Sequence, residues 1–200
     1  MEIMVNLSLQ GSMAVGKTTA LRLIEKHDST IHISHEKNKQ VVDEIRNRKL
    51  DKNRYNDYIE IQRLFILNEV KRYQLASQYN CSIMDFGAEE IEFYTLNYPK
   101  AIGIDWEVAK PLETELQLLK RCFPKRILYL NAANETLVER KKRDISRNRE
   151  FFDFYVQKLL PLKREWFFNQ DVVDVIEVDS KSEREVSDSV YEWIGIQMNK

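Results

Sequence analysis

Gly11-Ser12-Met13-Ala14-Val15-Gly16-Lys17-Thr18 reads G-x-x-x-x-G-K-[ST] without a mismatch, Thr19 follows it, and it holds two of the chain's five glycines. That spacing makes a phosphate-binding loop. Backbone N–H groups of the loop and of the helix behind it face an anion, the lysine sets an ammonium on the β- and γ-phosphate oxygens, and the threonine hydroxyl reaches a Mg2+ ion. The ligands so implied are ATP and Mg2+. A second concentration of charge lies at Arg140, Lys141, Lys142, Arg143, Arg147 and Arg149, six cations with Asp144 the one acid among them. Steps of three and four along a helix bring Arg140, Arg143 and Arg147 to one face. Such a lid, over about residues 140–150, would clamp a transferring phosphoryl group; a solvated basic face is the plain alternative. A third candidate is Asp85, which ends the apolar segment CSIMD and is placed either to orient Mg2+ and its water or to act as a base.

These groups need elements to hold them. Ile3, Val5, Leu7 and Leu9 alternate as in a strand, and a helical pattern follows the loop from Gly16 to Lys26. Further strand-like segments are IHIS (31–34), CSIMDFG (81–87), KRILYLN (125–131) and VVDVIEV (172–178). Helical stretches lie between them: Lys37 to Leu50, Asn56 to Tyr79, a region ending near Tyr98, Pro111 to Cys122, 133–143, 151–167 and Ser182 to Met198. Pro161 is expected to kink the sixth of these. Five strands separated by helices, with no hairpin signal between any two, predict an α/β fold: one domain over residues 1–200, with a parallel sheet covered on both faces.

Composition narrows the function classes. Thirty-one Lys+Arg against 32 Asp+Glu leave a net charge of -1, so no chain-wide positive field exists to hold a nucleic acid. Cys81 and Cys122 stand apart with no metal spacing, and His32 and His35 lie three apart on a strand, pointing to opposite faces. Neither a disulfide framework nor zinc is indicated. The longest apolar runs, such as 64–67 and 127–130, fall far short of the roughly 20 residues that span a bilayer. MEIMVNLSLQ has neither the basic start nor the cleavage site of an export signal. The expectation is a cytoplasmic protein.

Among phosphate-loop proteins, a GTPase would carry Asn-Lys-x-Asp and Asp-x-x-Gly, but Asn38-Lys39 runs into Gln40-Val41 and Asp85 into Phe86-Gly87-Ala88. Asp85-Phe86-Gly87 spells a protein-kinase triplet without the catalytic loop that triplet serves. The sequence instead resembles the phosphate-loop nucleoside and nucleotide kinases, the deoxyribonucleoside kinases above all, over nearly its whole length. The resemblance rests on the loop itself, on Glu36 after the second strand, on Gln62 in YIEIQRLFILNEVKRYQ, and on ILYLNAANETLVERKKRD followed by FYVQKLLPLKREWF. It implies that Glu36 accepts the proton of the acceptor hydroxyl, that Gln62 hydrogen-bonds the acceptor's ring, and that the basic segment is the lid. Two positions depart from the family: Phe86 stands where it has an arginine after the third-strand acid, and Glu69 where an arginine follows the glutamine. Gln62 with Glu69, and an acid followed by Gly87, are also similar to kinase domains of the ribosylnicotinamide type.

The implied activity is transfer of the ATP γ-phosphoryl group to a nucleoside hydroxyl, with Lys17, Glu36, Asp85 and Arg143 as catalytic groups. Alternatives are a nucleoside monophosphate kinase and a non-catalytic ATP-binding module. Tyr55, Tyr58, Phe65, Phe93 and Tyr94 are expected in core or groove packing, one or two of them flanking a ring. Apolar positions on the 56–79 helix are expected to pack either inside the domain or across a homodimer interface.

Overall fold

The computed structural model describes residues 5–143 and 151–199. Five strands, β1 (Val5–Gly11), β2 (His32–Ser34), β3 (Cys81–Asp85), β4 (Arg126–Asn131) and β5 (Val173–Glu177), form one sheet in the order β2-β3-β1-β4-β5, every pairing parallel. In chain order the helices are α1 (Lys17–His27), α2 (Lys39–Asn47), α3 (Tyr55–Ala76), α4 (Ala88–Ala101), α5 (Glu113–Lys120), α6 (Asn134–Arg143), α7 (Phe152–Phe154), α8 (Leu160–Phe168) and α9 (Glu183–Met198). A 3-10 turn, Lys110–Leu112, precedes α5. Helix α9 packs on α1, β1 and β4, while α3 packs with α4 and α5 around a separate apolar cluster that includes Tyr58, Ile66, Leu112 and Leu119. Among the described residues no helix is long and apolar enough to cross a membrane.

Parallel order places the carboxyl ends of all five strands along one rim. Leu9 pairs with Asp85 on one side and Leu128 on the other, and Gly11 pairs with Leu130, so the loop leaving central β1 rises beside the end of β3. That rim, where successive connections diverge, is where open parallel sheets bind their ligands.

Three helices differ from the sequence reading, each for a local reason. The helix expected to end near Tyr98 continues to Ala101 through Pro99. Pro99 has no N–H to give the Thr95 carbonyl; the Tyr58 hydroxyl serves that carbonyl at 3.0 Å. The helix expected from Pro111 begins as the 3-10 turn and becomes α-helical at Glu113. Around Pro161 the chain widens into a π-helical segment, Tyr155–Leu159, between α7 and α8. The wider turn accommodates a proline that lacks the N–H and whose ring crowds the carbonyl four residues back. On α3, Ile59, Ile61 and Ile66 turn inward, whereas Leu67 and Leu75 remain exposed.

Strand β1 is buried along its whole length although its even positions are polar. Ser8 and Gln10 face α4, where the fully buried Glu89 accepts hydrogen bonds from Ser8 Oγ and, at 2.6 Å, from Gln10 Nε2. A Cβ on Gly87 would stand 2.4 Å from Glu89 Oε2, so the β3–α4 turn is kept clear for this carboxyl. Burial pushes the Glu89 carboxyl up from 4.5 to about 7, with the bonds from Ser8 and Gln10 pulling the other way. Between those values the folded chain holds a proton that the unfolded chain has released. The stability contributed is therefore full below pH 4.5 and is lost as pH rises to about 7, a decline of roughly 3 kcal/mol. Glu89→Gln is expected to remove that decline from urea-unfolding free energies measured across the interval; an unchanged slope would contradict it.

Candidate active site

The phosphate loop is shaped by contacts that few residues permit. Gly11 has φ +137°, and a Cβ there would lie 2.4 Å from the Leu130 carbonyl oxygen of β4. Ala14 has φ +64°, the left-handed turn that lets successive N–H groups converge. Ser12 is buried with its hydroxyl unpartnered. Lys17 is buried, and its Nζ donates to the carbonyls of Gly11 at 3.1 Å and Ser12 at 2.7 Å. Burial first, and then the neighbouring ammonium of Lys163, lowers its pKa to about 7, with Asp85 opposing.

Thr18 Oγ1 donates to Asp85 Oδ2 at 3.1 Å, while Asp85 Oδ1 is buried without a partner. A hydroxyl beside an incompletely satisfied carboxylate is a hard oxygen donor set that suits Mg2+, which takes one or two protein ligands and completes its shell with water and phosphate. Among the described residues no group of three or more metal-binding side chains occurs.

Two cavities meet over this point. The larger, about 980 Å³, runs from Met13, Val15, Gly16 and Thr19 of the loop past Arg140 and Arg143 to the turn at Asp179. That turn is fixed at both ends. Asp179 Oδ1 accepts from the Ala133 N–H at 2.9 Å and Thr136 Oγ1 at 2.6 Å, and Ser182 caps α9 in a reciprocal box with Glu185. Arg140 braces the same wall: Nη1 donates to Val15 O at 3.0 Å, and Nη2 to Val178 O at 2.6 Å and Lys181 O at 3.3 Å. Arg143, three residues on, is largely exposed and its guanidinium lies 3.7 Å from Glu139. Arg147 lies outside the described residues.

The smaller cavity, about 470 Å³, is walled by α3 and α4. Tyr58, Phe65, Tyr94 and Tyr98 line it, whereas Phe93 sits in the core and Tyr55 lies edge-on to Trp106. Gln62 is on its wall, with Oε1 accepting from Thr95 Oγ1 at 3.0 Å, which leaves the amide N–H groups for a ligand. Glu36 and Phe86 line both cavities and so mark the junction. Glu36 accepts from Asn38 Nδ2 at 2.5 Å. Desolvation of its carboxylate, then the nearby charges of Asp85 and Glu90, raise its pKa.

Sequence reasoning marked Glu69 only through the family resemblance and missed the other buried charges that hold this junction. Glu69 and Arg72, one turn apart on α3, form a two-pronged pair with both N···O distances 2.8 Å. Arg72 Nη1 donates to Ser34 O at 2.7 Å and Asp85 O at 3.2 Å, and Nη2 also donates to Phe86 O. All five guanidinium N–H groups are thus spent, and the ends of β2 and β3 are fastened together. Lys163 on α8 is buried, donating to Gly11 O at 3.0 Å and Glu90 Oε1 at 2.7 Å. Burial lowers its pKa, with Glu90 opposing. One arginine among many surface cations carries no signal. The acids at 89 and 90, directly after a strand end, were the one cue available.

No family model and no curated protein matches the sequence. The structure, by contrast, is similar to thymidylate kinase from Candida albicans, an enzyme described as having broad substrate specificity and a novel structural element. The TM-score is 0.64 at 15% identity, covering 98% of this chain and 93% of that one. The likeness is one of fold. The chain has the α/β fold of a phosphate-loop kinase.

Proposed function

We propose that this protein transfers the γ-phosphoryl group of ATP to the hydroxyl of a nucleoside-class acceptor. The observation that carries the acceptor assignment is the charge at the junction. Glu36 and Phe86 line both cavities, Asp85 ends β3 next to Phe86, and Arg72 has no donor left for a ligand. An acceptor hydroxyl suits the Glu36 carboxyl; of the lysines lining the same cavity, Lys163 is engaged by Glu90 and Lys52 lies over the Tyr98 ring. The aromatic walls and the Gln62 amide suit a planar ring.

In this reading the loop from Gly11 to Thr19 holds the triphosphate, with Arg140 shaping the wall beside it. Thr18 and Asp85 would hold Mg2+, which when bound offsets charge on the transferring phosphates. Glu36, whose raised pKa makes it the more willing proton acceptor, takes the hydroxyl proton. Arg143 closes from its exposed position onto the phosphoryl oxygens. Arg143→Ala is expected to lower kcat on the order of a hundredfold with a smaller change in KM, since the contact belongs to the transition state. If the KM for ATP absorbs the whole effect, the residue supplies only ground-state attraction.

The test of the function is the product: incubation with Mg-ATP and a nucleoside panel should yield, by mass spectrometry, a nucleoside carrying one added phosphoryl group. Gln62→Leu should cut kcat/KM for the best nucleoside about a hundredfold, because a ring edge then loses its donor, and spare ATP affinity. Equal losses across unrelated rings would show that the ring is read elsewhere. Transfer to a nucleoside monophosphate is the second reading, favoured by the structural likeness to a thymidylate kinase. The buried free cysteines Cys81 and Cys122 accord with a reducing, cytoplasmic setting.

A further inference from the structure

Two lysines converge on one carbonyl at the cavity junction. Lys17 Nζ is 3.1 Å and Lys163 Nζ 3.0 Å from the Gly11 oxygen, so the nitrogens lie within about 6.1 Å of each other. Both stand over one face-bearing ring, Phe86, at 4.4 and 5.4 Å from its centroid. Phe86 adopts φ +59°, a left-handed backbone rare for a bulky residue. Both oxygens of Glu90 lie 2.6–2.7 Å from Lys163 Nζ, which aims the buried amine and opposes the effect of burial on its charge. Lys163 also borders the acceptor cavity, whereas Lys17 borders the nucleotide cavity.

Lys17 and Lys163 share the neutral Gly11 oxygen, Lys17 otherwise donates to the Ser12 carbonyl, and the Glu90 carboxylate contacts Lys163 alone, so the pair of buried amines is electrostatically incomplete. A phosphate oxyanion between them would complete it. One carboxylate, Glu90, balances Lys163, and the ring quadrupole of Phe86 offsets part of the remainder. Arg72, the other buried cation of the junction, is saturated by protein oxygens. Lys163 is the cation that the γ-phosphoryl group would meet on its way from one cavity to the other.

We propose that Lys163, aimed by Glu90 and supported by the Phe86 ring, is a second phosphate-directed lysine that contacts the γ-phosphoryl group opposite Lys17. It supplies from α8 the charge that an arginine at position 86 would have supplied from the β3–α4 turn. The inference rests on the phosphoryl-transfer reading for its chemistry, but its test does not need an acceptor.

Calorimetry with Mg-ADP and with the Mg complex of the β,γ-imido analogue of ATP isolates the γ-phosphate. Lys163→Met is expected to weaken the imido analogue about tenfold or more while ADP stays within about twofold, as loss of one charge-assisted contact would do. Lys163→Arg should restore most of the difference. Where Lys163→Met lowers Tm by leaving Glu90 alone, Lys163→Met/Glu90→Gln carries the same comparison with no isolated buried charge. Equal weakening of both nucleotides, or of neither, would overturn the proposal. A wild-type chain that turns over no acceptor would overturn the nucleoside reading and leave this comparison standing.

Discussion

Lys17→Ala is expected to reduce acceptor-dependent ADP release by at least about a thousandfold while leaving the chain folded. The contacts of its ammonium are two loop carbonyls, which phosphate oxygens would replace, and the face of the Phe86 ring. Burial and the adjacent Lys163 already disfavour its charged form, lowering its pKa from 10.5 to about 7. Between those values the unfolded chain holds a proton that the folded chain has lost, so stability due to this group rises with pH across that interval. The variant should therefore show an unchanged or higher Tm near neutral pH and a flatter rise above it. Full activity in a correctly folded variant would remove the phosphate-loop assignment.

Arg72→Met is expected to have the largest effect on stability, about 3–5 kcal/mol, because it leaves Glu69 charged, buried and alone. Burial raises the Glu69 pKa and Arg72 opposes the rise, so without the guanidinium only protonation would relieve it. The same substitution frees the carbonyls of Ser34, Asp85 and Phe86, and with them the spacing between Glu36 and Asp85. A fall in Tm of about 10 °C would match that energy for a chain of this size. Glu69→Leu/Arg72→Met should recover part of the loss, since no charge is stranded. A loss under about 1 kcal/mol for the single variant would show that the pair is dispensable.

What could be read before the fold was known was whatever local spacing records. The phosphate loop is contiguous, and its strand and helix carry strong periods of two and of about 3.6, so loop, sheet and flanking helices were all legible. The strand order places Asp85 beside the loop, as its position at a strand end suggested. Buried charge was not legible. Glu69, Arg72, Glu90 and Lys163 lie in stretches as charged as their solvated neighbours, and each is buried only because a partner from another turn or another element neutralises it. Glu89 of α4 is likewise what allows the polar Ser8 and Gln10 of β1 inside. The helix expected to end near Tyr98 runs on through Pro99, and at Pro161, where a kink is expected, the chain widens into a π-helical turn; a tyrosine hydroxyl serves the carbonyl that Pro99 leaves without a donor.

The central claim is that the small cavity delivers a hydroxyl, not a phosphate, to the γ-phosphoryl group. Its most direct test is the rate of ADP release from Mg-ATP with each nucleoside beside its own 5′-monophosphate at equal concentration. The account predicts that at least one nucleoside raises the rate while its monophosphate leaves it at the background level. Stimulation by a monophosphate with the parent nucleoside silent would contradict it.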